Sequence, residues 1–252
     1  MSEPLLTKIE NRVLTITFNR PEKKNALTHA MYAAASDAMK AAETDDNIRA
    51  ILITGSGDAF TAGNDLIDFQ QSGGMTEDMP VQRFLQALVN LDKPIIVAVN
   101  GLAVGVGLTM LLHSDLVYMA DHARLQAPFV DLALVPEAAS SLLLPARIGH
   151  AKAAEIFMLG KWITAREAET LGIATAVCAA GELMAVASKA AAKLARKAPN
   201  SLQLTKRLMR GDKDAILTRM KQEGIHFGAQ LQSAEVAEAI TAFFEKRAPD
   251  FG

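Results

Sequence analysis

The chain has 252 residues, of which 50% are apolar and 21% are charged, a profile typical of a soluble globular protein. Its 26 Lys and Arg residues nearly balance its 28 Asp and Glu residues, so the formal charge of -2 argues against nucleic acid or an anionic membrane as a partner. The single cysteine, Cys178, has no disulfide partner in the chain and no metal-ligand spacing around it, which predicts a cytoplasmic protein. The first residues do not resemble a signal peptide, and no apolar run reaches the roughly 18 residues of a spanning helix.

Strands and helices alternate along the first part of the chain. Residues 48–55 and 93–101 are short, nearly all-apolar runs, as expected of parallel strands covered on both faces. The predicted order is a hairpin (5–19), a helix (28–46), a strand (48–55), a loop (56–66), a helix (77–91), a strand (93–101), a glycine-rich segment that becomes helical (102–114) and a strand (115–121). This order predicts an α/β fold with crossover connections.

The pattern changes near residue 182, where amphipathic helices follow one another without an intervening strand. No repeat or low-complexity linker separates these helices from the preceding part. We therefore predict an α/β core over residues 1–195 and a helical region over residues 196–252 that packs on its own core or on a neighbour's.

Two turns with little side-chain bulk follow predicted strands. In "NGLAVGVGLTM" (100–110), Gly105 and Gly107 match the first two glycines of a dinucleotide fingerprint, but Met110 stands at the third, which argues against a nicotinamide cofactor. Free N–H groups at such a turn suit a developing negative charge, although tight strand–helix packing explains the glycines equally well. The loop "DAFTAGNDL" (58–66) offers a similar turn at Ala62 and Gly63. Together the two turns predict an oxyanion hole at the carboxyl edge of the sheet.

Glu137 is the one acid well inside the apolar run "DLALVPEAASSLLLP" (131–145). It follows Pro136 at a predicted helix start, so it either complements the helix dipole or acts chemically. The histidines show no shared spacing with Ser or Asp, and no metal site is predicted.

Several of these segments resemble the crotonase, or enoyl-CoA hydratase/isomerase, superfamily. They occur in the family order over nearly the whole chain: "FNRPEKKNALT" (18–28), "DAFTAGNDL" (58–66), "KPIIVAVNGLAVGVG" (93–107) followed by "SDLVYMAD" (114–121), "PFVDLALVPEAASSLLLP" (128–145) and "AITAFFEKR" (239–247). The resemblance implies a spiral of ββα units whose C-terminal helices hold a trimer or a dimer of trimers. It also implies acyl-CoA thioester substrates, with coenzyme A as part of the substrate and no separate cofactor.

The resemblance assigns roles to individual positions. The oxyanion hole falls on the backbone N–H groups of Ala62 and Val106. Phe243 and Lys246 are expected to reach the nucleotide end of CoA from a neighbouring subunit. The remaining CoA-binding positions are Lys23, Lys24, Ala26, Gly63, Asn64, Asp65 and Leu66, although the two lysines are also explained as ordinary solvated charges.

Hydratases of this family use two glutamates, whose positions here hold Thr109 and Phe129. Neither supplies a carboxylate, and both are expected to line the acyl pocket. The chain instead resembles the 3,2-enoyl-CoA isomerases, whose single glutamate falls on Glu137. The alternatives are an enoyl-CoA hydratase or another crotonase reaction that uses Glu137 differently, and a non-catalytic acyl-CoA-binding protein. Residues 67–90 are expected to line the acyl site.

Overall fold

The computed structural model describes residues 3–70 and 78–252. The strands are β1 (Leu5–Glu10), β2 (Val13–Phe18), β3 (Ala50–Gly55), β4 (Ala59–Thr61), β5 (Ile95–Val99), β6 (Leu102–Val104), β7 (Leu116–Ala120), β8 (Arg124–Gln126), β9 (Ile163–Thr164) and β10 (Ala176–Cys178). The helices are α1 (His29–Thr44), α2 (Leu66–Gln70), α3 (Pro80–Asn90), α4 (Val106–Thr109), α5 (Ser140–Ile148), α6 (His150–Met158), α7 (Ala165–Thr170), α8 (Leu183–Ala195), α9 (Pro199–Arg210), α10 (Lys213–Leu231) and α11 (Ala234–Glu245). Short 3-10 helices cover Pro21–Lys23, Met110–His113, Val130–Leu132 and Ala180–Glu182.

The five strands of five or six residues, together with the three-residue β10, form a six-stranded sheet in the order β1-β2-β3-β5-β7-β10. β1 and β2 form the predicted antiparallel hairpin, and the remaining pairs are parallel. β5 is buried along its whole length, as its continuous apolar sequence predicts. The Thr28 hydroxyl caps α1 by accepting the N–H of Met31, which explains why the helix begins at the predicted position. The mixed α/β fold is confirmed.

A second sheet, in the order β4-β6-β8-β9, consists of strands of two or three residues. The sequence reading placed β4 in a loop and β6 at the start of a helix, and it did not detect β8 or β9. Such strands are too short to show an alternating pattern. Each long parallel strand from β3 onward is followed by a short one and then by helical structure, so the chain repeats a ββα unit as the resemblance implied.

The C-terminal helices pack on this core. α8 covers β3, β5 and β7, and α10 contacts α3 and α5. On α9, the buried Lys206 Nζ lies 2.8 Å from the Asp115 carboxylate and donates to the carbonyl of Lys93. Asp115 also accepts the N–H of Ile95 at the start of β5, so α9 is held to the amino ends of β5 and β7, two interior strands of the sheet. No helix in the described part of the chain is long and apolar enough to cross a membrane.

We expect Asp115→Ala to destabilise the fold by about 3 kcal/mol, because it leaves the Lys206 charge buried without its partner. Lys206→Met removes the charge as well as the bond and is expected to cost about 1 kcal/mol or less. Urea unfolding of both variants at one protein concentration measures the difference. Equal losses in the two variants would contradict a role for the buried pair.

Candidate functional site

A cavity of about 660 Å³ lies at the carboxyl edge of the second sheet. β4, β6 and β8 run parallel in adjacent positions, so their carboxyl ends meet at one edge. The chain leaves these strands into residues 62–66, 105–106 and 127–137, and each of the three segments contributes to the cavity wall. The short strands therefore bring both glycine turns and Glu137 to one place.

The loop after β4 presents the N–H of Asn64, not that of Ala62. The Ala62 N–H donates to the carbonyl of Lys24 at 2.8 Å, so the prediction of Ala62 as an oxyanion donor is wrong. Leu27 pairs with the two residues on either side of Asn64. Its N–H donates to the Gly63 carbonyl at 2.8 Å, and its carbonyl accepts the N–H of Asp65 at 2.9 Å. Because backbone groups of successive residues in an extended chain point to opposite sides, the Asn64 N–H faces away from Leu27, and no described residue accepts it.

The turn after β6 presents the N–H of Val106. Val106 is the first residue of α4, so its N–H has no acceptor within the helix, and the residue lines the cavity. Gly105 makes this possible with φ 56° and ψ −116°, a conformation that residues with a Cβ rarely adopt. Gly63 is needed for a related reason, because at φ 91° an added Cβ would stand 3.0 Å from the carbonyl oxygen of Val104.

Glu137 lies on the cavity wall and is only 7% exposed. Glu137 precedes the first residue of α5 by three positions and does not occupy the first helical turn. A role in complementing the dipole of that helix therefore does not explain why a glutamate stands here. The Thr109 hydroxyl donates to Glu137 Oε1, so Thr109 stands behind the carboxylate and is not part of the wall. Burial raises the pKa of Glu137 to about 8, with the Thr109 bond opposing the rise and the charge of Glu223 adding to it.

One of the two lysines assigned to CoA faces the cavity. Lys23 and Ala26 contribute to the wall, whereas Lys24 pairs with Asp58 at 2.5 Å on the surface. Arg20 holds this segment against the next loop, since its guanidinium donates to the Ala26 carbonyl at 2.7 Å and to Asp65 at 3.1 Å. The other predicted CoA positions on the wall are Gly63, Asn64, Asp65 and Leu66.

Helix α11 closes the cavity of its own subunit. Val236 and Ile240 pack on Ala133 and Leu134, which places Phe243 on the wall of the cavity in the same chain. Phe243 therefore borders the cavity of its own chain and Lys246 does not line it, while the expectation that both residues reach the CoA of a neighbouring subunit stays a prediction. Phe129 does line it and packs on Phe157, with ring centroids 6.1 Å apart. Residues 71–77 of the expected acyl segment lie outside the described residues, and Ile67 lies on the wall.

Sequence reasoning missed Glu223 on α10, whose carboxylate is buried beside the Glu137 segment. The signal was present, because Ile216, Met220, Glu223 and Phe227 form the buried stripe of α10 at helical spacing. A charged residue on an apolar stripe indicates a specific partner. Within the described ranges, no cluster of three His, Cys, Asp or Glu residues could hold a metal ion.

Comparisons with known proteins agree with this fold. The family model for enoyl-CoA hydratase/isomerase matches residues 8–252. Enoyl-CoA delta isomerase 2 of Rattus norvegicus is 36% identical over 98% of this chain, which spans only 64% of the rat protein. The 1,2-epoxyphenylacetyl-CoA isomerase of Escherichia coli is 35% identical, with 100% of this chain and 99% of that protein covered. The crystal structure of an enoyl-CoA hydratase/isomerase from Pseudoalteromonas atlantica is 49% identical, with a TM-score of 0.96 over 99% of this chain and 100% of that one.

The raised pKa of Glu137 predicts a specific dependence of stability on pH. The folded protein holds this proton up to pH about 8, whereas the unfolded chain releases it near 4.5, so the wild type loses stability as the pH rises between these values. Glu137→Gln removes this loss and keeps an oxygen that can accept from Thr109. We expect the variant to gain roughly 2–4 kcal/mol relative to the wild type between pH 5.5 and 8.5.

Urea unfolding at the two pH values measures the gain. Glu235→Gln, which removes an exposed carboxylate from α11, is the matched control and should follow the wild type at both pH values. A constant difference between Glu137→Gln and the wild type would contradict the raised pKa.

Proposed function

Because this chain belongs to the enoyl-CoA hydratase/isomerase family, a family of enzymes that act on acyl-CoA thioesters, we propose that it converts 3-enoyl-CoA to 2-enoyl-CoA with Glu137 as its base. One observation carries this proposal: a single buried carboxylate shares the described cavity wall with two backbone N–H groups that have no acceptor. Asp65 is paired with Arg20, and Asp131 is exposed, so neither competes with Glu137 for the role of base.

The chemistry needs one base and one oxyanion site. The thioester carbonyl would accept the N–H groups of Asn64 and Val106. Glu137 would remove a proton from C2, leaving a dienolate whose negative oxygen the two N–H groups stabilise. The protonated Glu137 would then return the proton to C4, which moves the double bond into conjugation with the thioester. A pKa of about 8 suits a group that must take and return a proton near neutral pH.

Hydration is the weaker candidate. Adding water requires a group that positions and deprotonates it together with an acid for the α-carbon. The two positions where family hydratases carry glutamates hold Thr109 and Phe129 here. The Thr109 hydroxyl is directed at Glu137, and Phe129 forms an apolar wall beside Phe157. Neither residue can supply the second carboxylate.

We also propose that the chain assembles as a trimer or a dimer of trimers. The supporting observation is an apolar surface on α9, where Leu204, Leu208 and Met209 are 55%, 84% and 79% exposed. The cytoplasmic location inferred from the single cysteine remains a prediction.

The first test of function is turnover of 3-enoyl-CoA compared with hydration of 2-enoyl-CoA. We expect isomerisation to dominate, with kcat/KM rising with pH up to about 8 as Glu137 ionises. Glu137→Gln should lower kcat by about 10²–10⁴-fold, because it removes the base and preserves the shape of the side chain. Dominant hydration, or full isomerase activity in the Gln variant, would refute the proposal.

A conjugated enoyl-CoA separates binding from chemistry in the same experiment. Polarisation of its carbonyl by the two N–H groups should shift its absorption to the red in both the wild type and Glu137→Gln. A spectral shift without turnover in the wild type would instead favour a non-catalytic acyl-CoA-binding protein.

The second test concerns assembly. We expect light scattering to give a trimer or hexamer at micromolar concentration, and Leu208→Glu combined with Met209→Glu to give smaller species by burying charge at the interface. Ser188→Glu, which adds a charge to the exposed face of α8, should leave the assembly unchanged. A monomeric wild type would contradict the proposal.

A further inference from the structure

The backbone directly after Glu137 has an unusual conformation. Ala138 and Ala139 have φ angles of 60° and 55°, in the left-handed region that is unfavourable for residues with a Cβ. Such residues persist where the surrounding structure enforces them, and they cluster at active sites. The direction in which Glu137 points into the cavity depends on this turn, so whatever holds the turn also positions the base.

Glu223 is the side chain that holds this turn from the C-terminal region. Its Oε2 accepts the N–H of Ala139 at 2.6 Å, and its Oε1 accepts the N–H of Ser141 at 2.9 Å. These are N–H groups at the N-terminal end of α5, which lack acceptors within the helix. Glu223 is 6% exposed, on the buried stripe of α10, so water does not replace it easily.

Two further contacts complete the support of the turn. His113 Nε2 lies 2.7 Å from the carbonyl oxygen of Ala138, and Arg219 donates to the Ser141 hydroxyl at 3.2 Å. The N–H groups of Ala139 and Ser141, two and four residues after Glu137, therefore donate to Glu223 and not to the Glu137 carboxylate. The Glu137 carboxylate accepts from the Thr109 hydroxyl, and the negative charge of Glu223 raises its pKa.

We propose that Glu223 is a positioning residue for Glu137: its carboxylate fixes the left-handed turn at Ala138 and Ala139 and withholds the N–H groups of α5 from the base. The inference rests on the proposed role of Glu137. Glu223 reaches neither the cavity wall nor the substrate, and it acts through the turn and through its negative charge.

The groups around Glu137 allow the charge effect to be measured. His113, from the 3-10 helix after α4, has a pKa lowered to about 4 by burial, so it is neutral above pH 5. Tyr32, from α1, has a pKa raised well above its ordinary value by burial and by the Glu137 charge, so it is neutral below pH 10. Arg219, one helical turn from Glu223 on α10, is a cationic side chain near the same turn. Burial also raises the pKa of Glu223, while its bonds to Ser141 and Ala139 and the nearby Arg219 oppose this rise.

The test compares Glu223→Gln with the wild type in the pH profile of kcat/KM and in a direct titration of Glu137 by 13C NMR of labelled glutamate. Gln keeps one acceptor oxygen and loses the charge, so the Glu137 midpoint should fall by roughly half a pH unit or more. Glu235→Gln, which removes the same charge from an exposed site on α11, should not move the midpoint. An unchanged midpoint in Glu223→Gln would overturn the charge effect.

Glu223→Asp tests the positioning effect separately. The shorter side chain keeps the charge and cannot reach both N–H groups, so kcat should fall about tenfold while the midpoint does not decrease. Adding Ala139→Gly, which favours the left-handed conformation without outside support, should recover at least part of the lost kcat. Wild-type kcat in Glu223→Asp, or no recovery in the double variant, would overturn the positioning role.

Two readouts keep this inference apart from the proposed function. Thermal unfolding identifies any variant that fails to fold, and in that case Glu223→Asp with Ala139→Gly carries the test. If the wild type has no isomerase activity, the function fails, and the NMR titration still decides whether Glu223 controls the pKa of Glu137. If the enzyme is active and that pKa does not respond to Glu223→Gln, only the charge effect fails.

Discussion

Burial of the Glu137 carboxylate is the constraint on which the rest of the site depends. An anion in apolar surroundings is unfavourable unless hydrogen-bond donors stabilise it. Thr109 supplies one hydroxyl, while the N–H groups at the start of α5, the helix that follows Glu137 in the chain, donate to Glu223 instead. The carboxylate is thus left as a comparatively strong base, with a pKa of about 8. Burial of this carboxylate lowers the stability of the fold, and the large core of two sheets with their covering helices offsets that loss.

The two backbone N–H groups complement this arrangement. In the proposed reaction Glu137 would take a proton from C2, and the negative charge would move from a poorly stabilised carboxylate to an oxygen that Asn64 and Val106 can stabilise. The cavity would hold one negative charge before and after this step, and the charge would move toward donors that are already in place. Such a movement of charge requires the loops that carry Asn64, Val106 and Glu137, which come from different parts of the chain, to meet at one cavity. The parallel pairing of β4, β6 and β8 ensures that they do.

The sequence predicted the features that depend on local pattern, namely the hairpin, helix α1, the buried strands and the isolated acid at Glu137. It did not predict the second sheet, because strands of three residues carry no period. The resemblance assigned the oxyanion donor to Ala62, and the sequence could not correct this because the direction of a backbone N–H depends on pairing with Leu27, which is distant in the chain. It also did not predict that Phe243 borders the cavity of its own chain, since that depends on the packing of α11 on Ala133 and Leu134.

The predicted boundary near residue 195 separates strands from helices along the chain, but the helices after it contact the sheet, the Glu137 segment and the cavity wall. α9 is tied to the sheet through Lys206 and Asp115, α10 carries Glu223 to the turn behind the base, and α11 supplies part of the cavity wall. Assembly alone does not explain why a carboxylate is buried on the otherwise apolar stripe of α10. The position of Glu223 therefore argues that the C-terminal helices are part of the machinery that sets the basicity of Glu137.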